Sequence, residues 1–551
     1  MPLLSSLKWL LFALPVLFLA VFFFYPLASI FGVSLAPNGQ LDLSGFAALI
    51  TSPYYRDTLV FTAAQATIST LLTLALALPG AYVFARYQFP GKSLLLSLAT
   101  LPFVLPTVVV AAAFMALVGQ NGIVNSALIS LFHLSAPPIQ LERTLTIILI
   151  VHVFYNYSIA LRIISSYWAN QSPRLEEAAR VLGANGWRVW WYVRLPLLRP
   201  ALLAAAILVF IFTFTSFGVV LILGGPRFAT LEVEIYRQAT AIFNLQVAAA
   251  LSLVQIGLMF ALMIVYTRLQ RQTSADLQSA QIVARPPRTR RERAFVIANV
   301  GLMIVLLLTP LAALVVRSFT GEDGLTTRFY TLLGSNPRGS VLFVPPIEAV
   351  ANSLGFALTT TVLAVALGMI TATLLTRRGA RWLDPVFMLP LATSAVTLGF
   401  GFIIALDEPP LNLRTSAALI PLAHTLVAMP FVVRSVLPAL RAIAPNTRGA
   451  ARVLGASPLK VWRLIDLPLI SRGLIVGATF AFTVSMGEFG ATLFVARPDT
   501  PTMPLVIFRL LGQPGAVNYG QALAMSTLLM LVCAVSFILI ERARTLGIGE
   551  F

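Results

Sequence analysis

Apolar runs long enough to cross a bilayer recur about twelve times along this chain, and no ordinary soluble fold accommodates that pattern. The runs fall near 9–34, 58–85, 93–118, 145–167, 201–224 and 247–266, and again near 294–316, 352–376, 385–406, 417–437, 473–496 and 521–540. Inside hydrocarbon each segment must satisfy its own backbone, so every run is expected to be helical. Composition agrees: 58% of residues are hydrophobic and 11% charged, against about 25% charged in soluble domains. The first run, from about Trp9 to Leu35, outlasts the roughly 7–15 residues of a signal-peptide core and is expected to be a first span. The fold class expected is an all-α polytopic membrane protein.

The formal net charge of +18 does not mark a nucleic-acid partner, because the basic residues lie in short segments between apolar runs. With a cytoplasmic N-terminus, 26 of the 38 Lys and Arg fall inside and 10 outside, with Arg162 and Arg434 near helix ends. The positive-inside rule therefore predicts cytoplasmic N- and C-termini. Residues 268–293 carry seven arginines and Pro286-Pro287 without a long apolar run, and read as a cytoplasmic linker. Polybasic segments beside a membrane also attract anionic lipid, which is the other reading of this stretch. The one cysteine, Cys533, lies in the last apolar run, so an internal disulfide is excluded and a thiolate metal site is not expected.

A shift of 272 residues lays the two halves of the chain on each other. His152 falls on His424, Arg162 on Arg434, and the run Ala178 to Ala184 on an identical run beginning at Ala450. Trp190 meets Trp462, Phe217-Gly218 meets Phe489-Gly490, and Arg237 meets Arg509. An even number of spans per half gives both copies one orientation, related by an axis along the membrane normal. The organisation expected is two parallel six-helix repeats, 1–267 and 294–551, joined by 268–293, with a pathway between them.

The strongest repeat lies in the cytoplasmic segment between the fourth and fifth spans, where loops normally vary most. The first copy runs Glu177-Ala178-Ala179, three residues, Gly183, nine residues, then Val193, Arg194, Leu195, Pro196. The second runs Gly449-Ala450-Ala451, three residues, Gly455, nine residues, then Ile465, Asp466, Leu467, Pro468. Residues 176–182 form a short helix with small alanines on one face, closed by Gly183 in the left-handed conformation. A second amphipathic turn over 187–193 is expected to stop at Pro196. Such a tip suits a groove on a soluble partner; a helix lying on the inner leaflet is the competing reading.

This spacing resembles the ABC-importer permeases of the binding-protein-dependent type I family, whose motif is Glu-Ala-Ala, three residues, Gly, nine residues, Ile, any residue, Leu-Pro. Two positions depart from it: Val193 stands for isoleucine, and Gly449 for glutamate. Residues 85–92 also look like that family's loop between the second and third spans. The resemblance implies a prokaryotic inner-membrane protein that docks a dimer of ATP-binding subunits inside and a substrate-binding protein outside. ATP and Mg would belong to the partner subunits. The chain itself has no phosphate loop, since Arg86 stands where Gly91-Lys92-Ser93 would need a glycine. No catalytic residue, metal site or resident cofactor is expected.

Glu488 is read as the one carboxylate well inside a span, and its repeat counterpart is Ser216. Both are pathway candidates, because an ionisable group in hydrocarbon costs a few kcal/mol. Glu488 either lines the pathway or is satisfied by hydroxyls and by backbone freed near Gly487 and Gly490. His152 and His424 read as helix-packing hydrogen bonders, and Arg162 and Arg434 as snorkelling to the inner interface. Fusion of two halves, and the stretch from Ser216 to Tyr236, look most like thiamine permeases, with ferric-iron permeases as the alternative cargo class. A major-facilitator transporter also has two parallel six-helix repeats; the duplicated loop argues against it.

Overall fold

The computed structural model describes residues 2–545 apart from 38, 173, 276–283, 322–323, 336–343, 408 and 410. Among them are eleven helices long and apolar enough to span a membrane, or twelve if the bent pair Gly379–Ala392 and Ala395–Ala405 is one span. Each half presents six such elements in the same order. The middle of the expected linker lies outside the described residues. Its end does not: the Arg285 N–H donates to the Arg86 carbonyl at 3.2 Å, and the Gln88 N–H to the Arg285 carbonyl at 2.9 Å.

The halves interlock. The first span, through Tyr25–Leu35, packs on Ala395–Ala405 of the second half, while Arg290–Ser318 packs on Thr107–Val118 of the first. Within each half the second, fourth and fifth spans form the core, and small residues let their backbones approach. A Cβ on Gly473 would lie 2.5 Å from the Ser435 carbonyl oxygen, and one on Gly477 would lie 3.0 Å from Val432 Cα.

Four spans are broken where continuous helix was expected. In the third span of the first half, helix Lys92–Val104 ends and Thr107–Val118 begins across Leu105-Pro106. The cause is Pro106, which donates no N–H and forces the preceding residue into extended backbone, ψ 139° at Leu105. The second half breaks at the matching place, where the Ser394 hydroxyl accepts from the N–H groups of Val396 and Thr397 and turns the chain by 93°. The fifth spans stop at Phe214 and Gly487 and resume as Gly218–Leu223 and Thr492–Val495.

One expectation about arginine is corrected. Arg162 does not snorkel: it donates to the Leu96 carbonyl at 2.8 Å and the Thr100 hydroxyl at 3.0 Å, tying the fourth span to the third. Arg434 reaches to 3.7 Å from Asp384, at the foot of the bent pair.

The crossing geometry yields a test. Gly473→Val should overpack the fourth and fifth spans by about 1–3 kcal/mol and lower the melting midpoint of the detergent-solubilised protein. Gly301→Val, where a Cβ meets nothing within 4 Å, should leave it unchanged.

Candidate functional site

Two constructions repeat across the halves: a protruding turn after the fourth span, and a cavity between the fifth spans.

The first protruding segment starts as helix Arg174–Val181 and the second as Pro445–Val453. Gly183 and Gly455 take φ +83° and +80°, the left-handed backbone that glycine adopts without strain. The closing hydrogen bonds are the same in both. Gly183 N–H donates to the Arg180 carbonyl and Ala184 N–H to Ala179, while Gly455 donates to Arg452 and Ala456 to Ala451, each near 3.0 Å. This is a Schellman closure, and it projects two apolar residues outward. Val181 and Leu182 are both 87% exposed, and Val453 and Leu454 are 88% and 87%. Glu177 and Ala178 stand exposed beside the first pair, as Ala450 does beside the second, with Ala179, Gly449 and Ala451 half-buried.

After each turn a side chain caps a new helix, Asn185 accepting from Arg188 N–H at 2.9 Å and Ser457 from Lys460 N–H at 3.4 Å. Pro196 was expected to stop this turn and does not. The chain widens into five-residue π-turns, Trp190–Arg194 and Trp462–Asp466, in which Leu195 N–H donates to Trp190 and Leu467 N–H to Trp462. Leu195-Pro196 and Leu467-Pro468 thus lie within continuous helices, Gly186–Phe214 and Pro458–Gly487, that rise from the docking turn through the membrane. A π-turn absorbs the donor that proline cannot supply.

The cavity holds about 460 Å³. All four span breaks line it, through residues 103–107, 215–219, 393–396 and 487–490. Among its lining residues Phe217 and Phe489 stack across the two halves, with ring centroids 5.8 Å apart. Tyr236 and Phe508 abut that pair at 5.6 and 5.4 Å. Among the other lining residues of the fifth spans, Phe212, Phe480, Thr483 and Val484 precede the stack on the helices that rise from the protruding turns, while Gly218, Val219 and Gly490 follow it. The aromatic stack therefore forms part of the wall of this space, where the two fifth spans meet.

Ser216 and Glu488 both line it. His152 Nε2 lies 2.8 Å from Ser216 Oγ and Nδ1 lies 3.1 Å from Ser69 Oγ. His424 repeats this, with Nδ1 at 2.7 Å from Ser485 Oγ and Nε2 at 2.8 Å from Thr492 Oγ1. Each histidine thus spends both ring nitrogens on its neighbours. Glu488 is similarly committed: Ala491 N–H donates to one oxygen and Thr492 N–H to the other, both at 2.9 Å. The Thr492 hydroxyl donates to that second oxygen too, and His424 Nε2 stands 3.4 Å from it. Glu488 therefore borders the cavity and also caps the backbone freed by the break.

Glu488 is not the sole buried carboxylate. Glu232 and Glu234, on helix Leu231–Arg237, are fully buried. Glu232 accepts from the Ser394 hydroxyl of the other half at 2.7 Å and from the Gln255 amide. Glu234 accepts from Tyr54 at 2.7 Å and Gln238 at 2.6 Å. The signal for them was the alternation Leu231-Glu232-Val233-Glu234-Ile235, two acids hemmed by apolar residues in a stretch read as a loop.

Two interlocked six-span halves around one cavity, each with a protruding apolar turn, define a two-half membrane permease. The chain belongs to the family of binding-protein-dependent transport system inner membrane components, matching it over residues 74–275 and 364–543. This settles the class against the major-facilitator alternative. It is 28% identical over 490 residues to the thiamine transport system permease protein ThiP of Brucella abortus, covering 88% of this chain and 87% of that one. It is 25% identical over 541 residues to ThiP of Haemophilus influenzae, covering 96% and 94%. A putative 2-aminoethylphosphonate transport system permease protein, PhnU of Salmonella paratyphi A, is 29% identical over 276 residues, half of this chain and 95% of that one.

The contacts of Glu488 set the outcome of an isosteric change. In Glu488→Gln one carboxylate oxygen becomes an NH2 facing a backbone N–H, leaving a buried donor unpaired at roughly 1–3 kcal/mol. The melting midpoint should fall and transport should drop with it. An unchanged midpoint would mean that the carboxylate does not hold this turn.

Proposed function

We propose that this chain is the permease subunit of an ATP-driven importer that takes thiamine from an external binding protein and releases it into the cytoplasm. The observation that carries the mechanism is the pair of docking segments. Four apolar residues stand almost fully exposed at repeat-related positions, on turns whose geometry is fixed by Gly183 and Gly455. Exposed leucine and valine at two matched tips suit two clefts of a dimeric soluble partner better than bulk water. The ATP-binding subunits would occupy that face and carry ATP and Mg, with both termini of this chain on the same cytoplasmic side, as its basic loops favour. Glu177 would face the partner in the first dock, and Gly449 would leave the second without that charge. Ala178, Ala179, Ala450 and Ala451 would allow close approach, and Leu195-Pro196 and Leu467-Pro468 would hand motion to the fifth spans.

The cargo reading rests on the relatives and on the cavity. The two relatives above that span both halves are named for thiamine, whereas the aminophosphonate relative matches half of the chain. Phe103, Phe212, Phe431 and Phe480 line the space together with one carboxylate, Glu488. Aromatic faces and a negative pole suit a flat organic cation, and favour thiamine over ferric iron. Alternating access then needs the Phe217–Phe489 stack to part while the docking side closes.

Purified with its ATPase and binding protein in liposomes, the chain should take up thiamine against a gradient; alone, it should hydrolyse no ATP. Gly183→Val with Gly455→Val forces β-branched residues into left-handed backbone, at about 1–2 kcal/mol per turn. Correctly turned segments should become about 5- to 30-fold rarer for each turn. Retention of the ATPase on the purified chain and thiamine-stimulated hydrolysis should both fall. Full retention and full uptake by the double variant would overturn the docking assignment.

A further inference from the structure

At the repeat shift of 272 residues Glu176 corresponds to Arg448 and Arg194 to Asp466. Glu176 pairs with Arg194 at 2.7 Å, and Arg448 pairs with Asp466 at 2.7 Å. The same two places are joined in both halves, with the charges exchanged. Each pair links the first turn of a docking helix to the π-turn that begins the fifth span. All four side chains are more than 70% shielded, so these pairs are less screened than surface ones.

We propose that these pairs are struts that make each docking segment rigid with the foot of its fifth span, so that displacement at the tip reaches the aromatic stack. The exchange of charge is the core of the argument. A partner that read the charge at position 176 or 448 would meet opposite signs in its two clefts; what the duplication has kept is the attraction. Helix Gly186–Phe214 is continuous over 29 residues, about 40 Å at 1.5 Å per residue. Phe217 lies just beyond its end, and Phe489 just beyond the end of Pro458–Gly487. A docking helix free to swivel about Gly183 or Gly455 would dissipate its motion in that joint. The strut removes the joint and leaves the tip and the stack at opposite ends of one lever. These four residues are positioning residues, and the proposal rests on the docking reading above.

The two struts are not equally supported. Glu176 also accepts from Arg86 at 3.3 Å, and Arg86 donates to the Gln171 carbonyl while its own carbonyl holds the linker end through Arg285. Arg448 has Asp466 alone as its acidic partner among the described residues. Coupling through the second segment hence depends on a single pair, and the first segment is bolted to the second span as well.

The test uses the complete complex in liposomes and reads thiamine taken up per ATP hydrolysed, with ATPase retention measured on the same preparations. Arg448→Glu should lower that ratio about fivefold or more while retention holds. Adding Asp466→Arg, which recreates the polarity of the first half, should restore it to within about twofold. The corresponding exchange in the first half, Glu176→Arg with Arg194→Glu, should not restore coupling, because Arg86 then faces an arginine. Asp466→Asn removes the attraction without reversing it and gives the same reading if Arg448→Glu does not fold. A normal ratio in Arg448→Glu or Asp466→Asn, or failure of the second-half exchange to rescue, would overturn the strut. A wild-type chain that retains no ATPase would overturn the docking reading, and the strut with it.

Discussion

A backbone amide in hydrocarbon has only the protein to bond with, and this rule decides where this molecule can open. The four breaks in its spans free backbone groups at the centre of the bundle, and at three of them a local group takes up or removes the freed donors. Glu488 receives the N–H groups of Ala491 and Thr492, and Ser394 those of Val396 and Thr397. Pro106 removes a donor altogether. Irregular backbone in a membrane is confined to places buried in protein or facing a cavity, and here all four breaks meet at one cavity. The pathway is thus the place where helical self-sufficiency has been given up and individually compensated.

Interlocking follows from the same geometry. A half with a broken third span cannot cover its own freed surface, and the partner half's first span lies across it: Tyr25–Leu35 against Ala395–Ala405, Arg290–Ser318 against Thr107–Val118. Gly401 lets that contact form, since a Cβ there would lie 3.0 Å from Pro26. Fusion into one chain fixes the stoichiometry of two halves whose folds are mutually dependent. The linker end, paired to Arg86 and Gln88, places that covalent joint beside the first docking segment.

Much of this was legible in the sequence because it depends on local pattern. Span number follows from apolar length, and the two protruding turns from glycine placement: Gly183 and Gly455 sit where a Schellman closure needs a left-handed residue. The breaks were harder. Leu105-Pro106 carried a proline signal, but proline is also tolerated inside membrane helices, as Pro79 and Pro310 are here. Ser394 acts through a hydroxyl cap that leaves no pattern in an apolar run. Glu232 and Glu234 were obscured because their burial comes from the other half and from Tyr54, far away in sequence. Phe217 and Phe489 were visible as a repeat match, yet that they stack on each other is a fact of the axis between the halves.

Symmetry is kept and lost in different places. Where force would pass, the halves agree in geometry even when their charges are exchanged, as in Glu176–Arg194 and Arg448–Asp466. Around the cavity they keep the stacked phenylalanines and the bonded histidines but differ at the breaks. Glu488 faces Ser216 across the axis, Ser394 stands where the other half has Pro106, and Glu232 reaches across to Ser394 while its own counterpart at the 272-residue shift is Pro504. An ATPase dimer of two like subunits has a twofold axis and can drive two equivalent levers. The proposed cargo, a small organic cation, would have none, so a passage with one negative pole and aromatic walls would hold it in one orientation, whereas a symmetric passage would offer two equal ones. On the proposed function, duplication would supply the levers, and divergence of the residues at the breaks would supply a site that a cargo without symmetry can use.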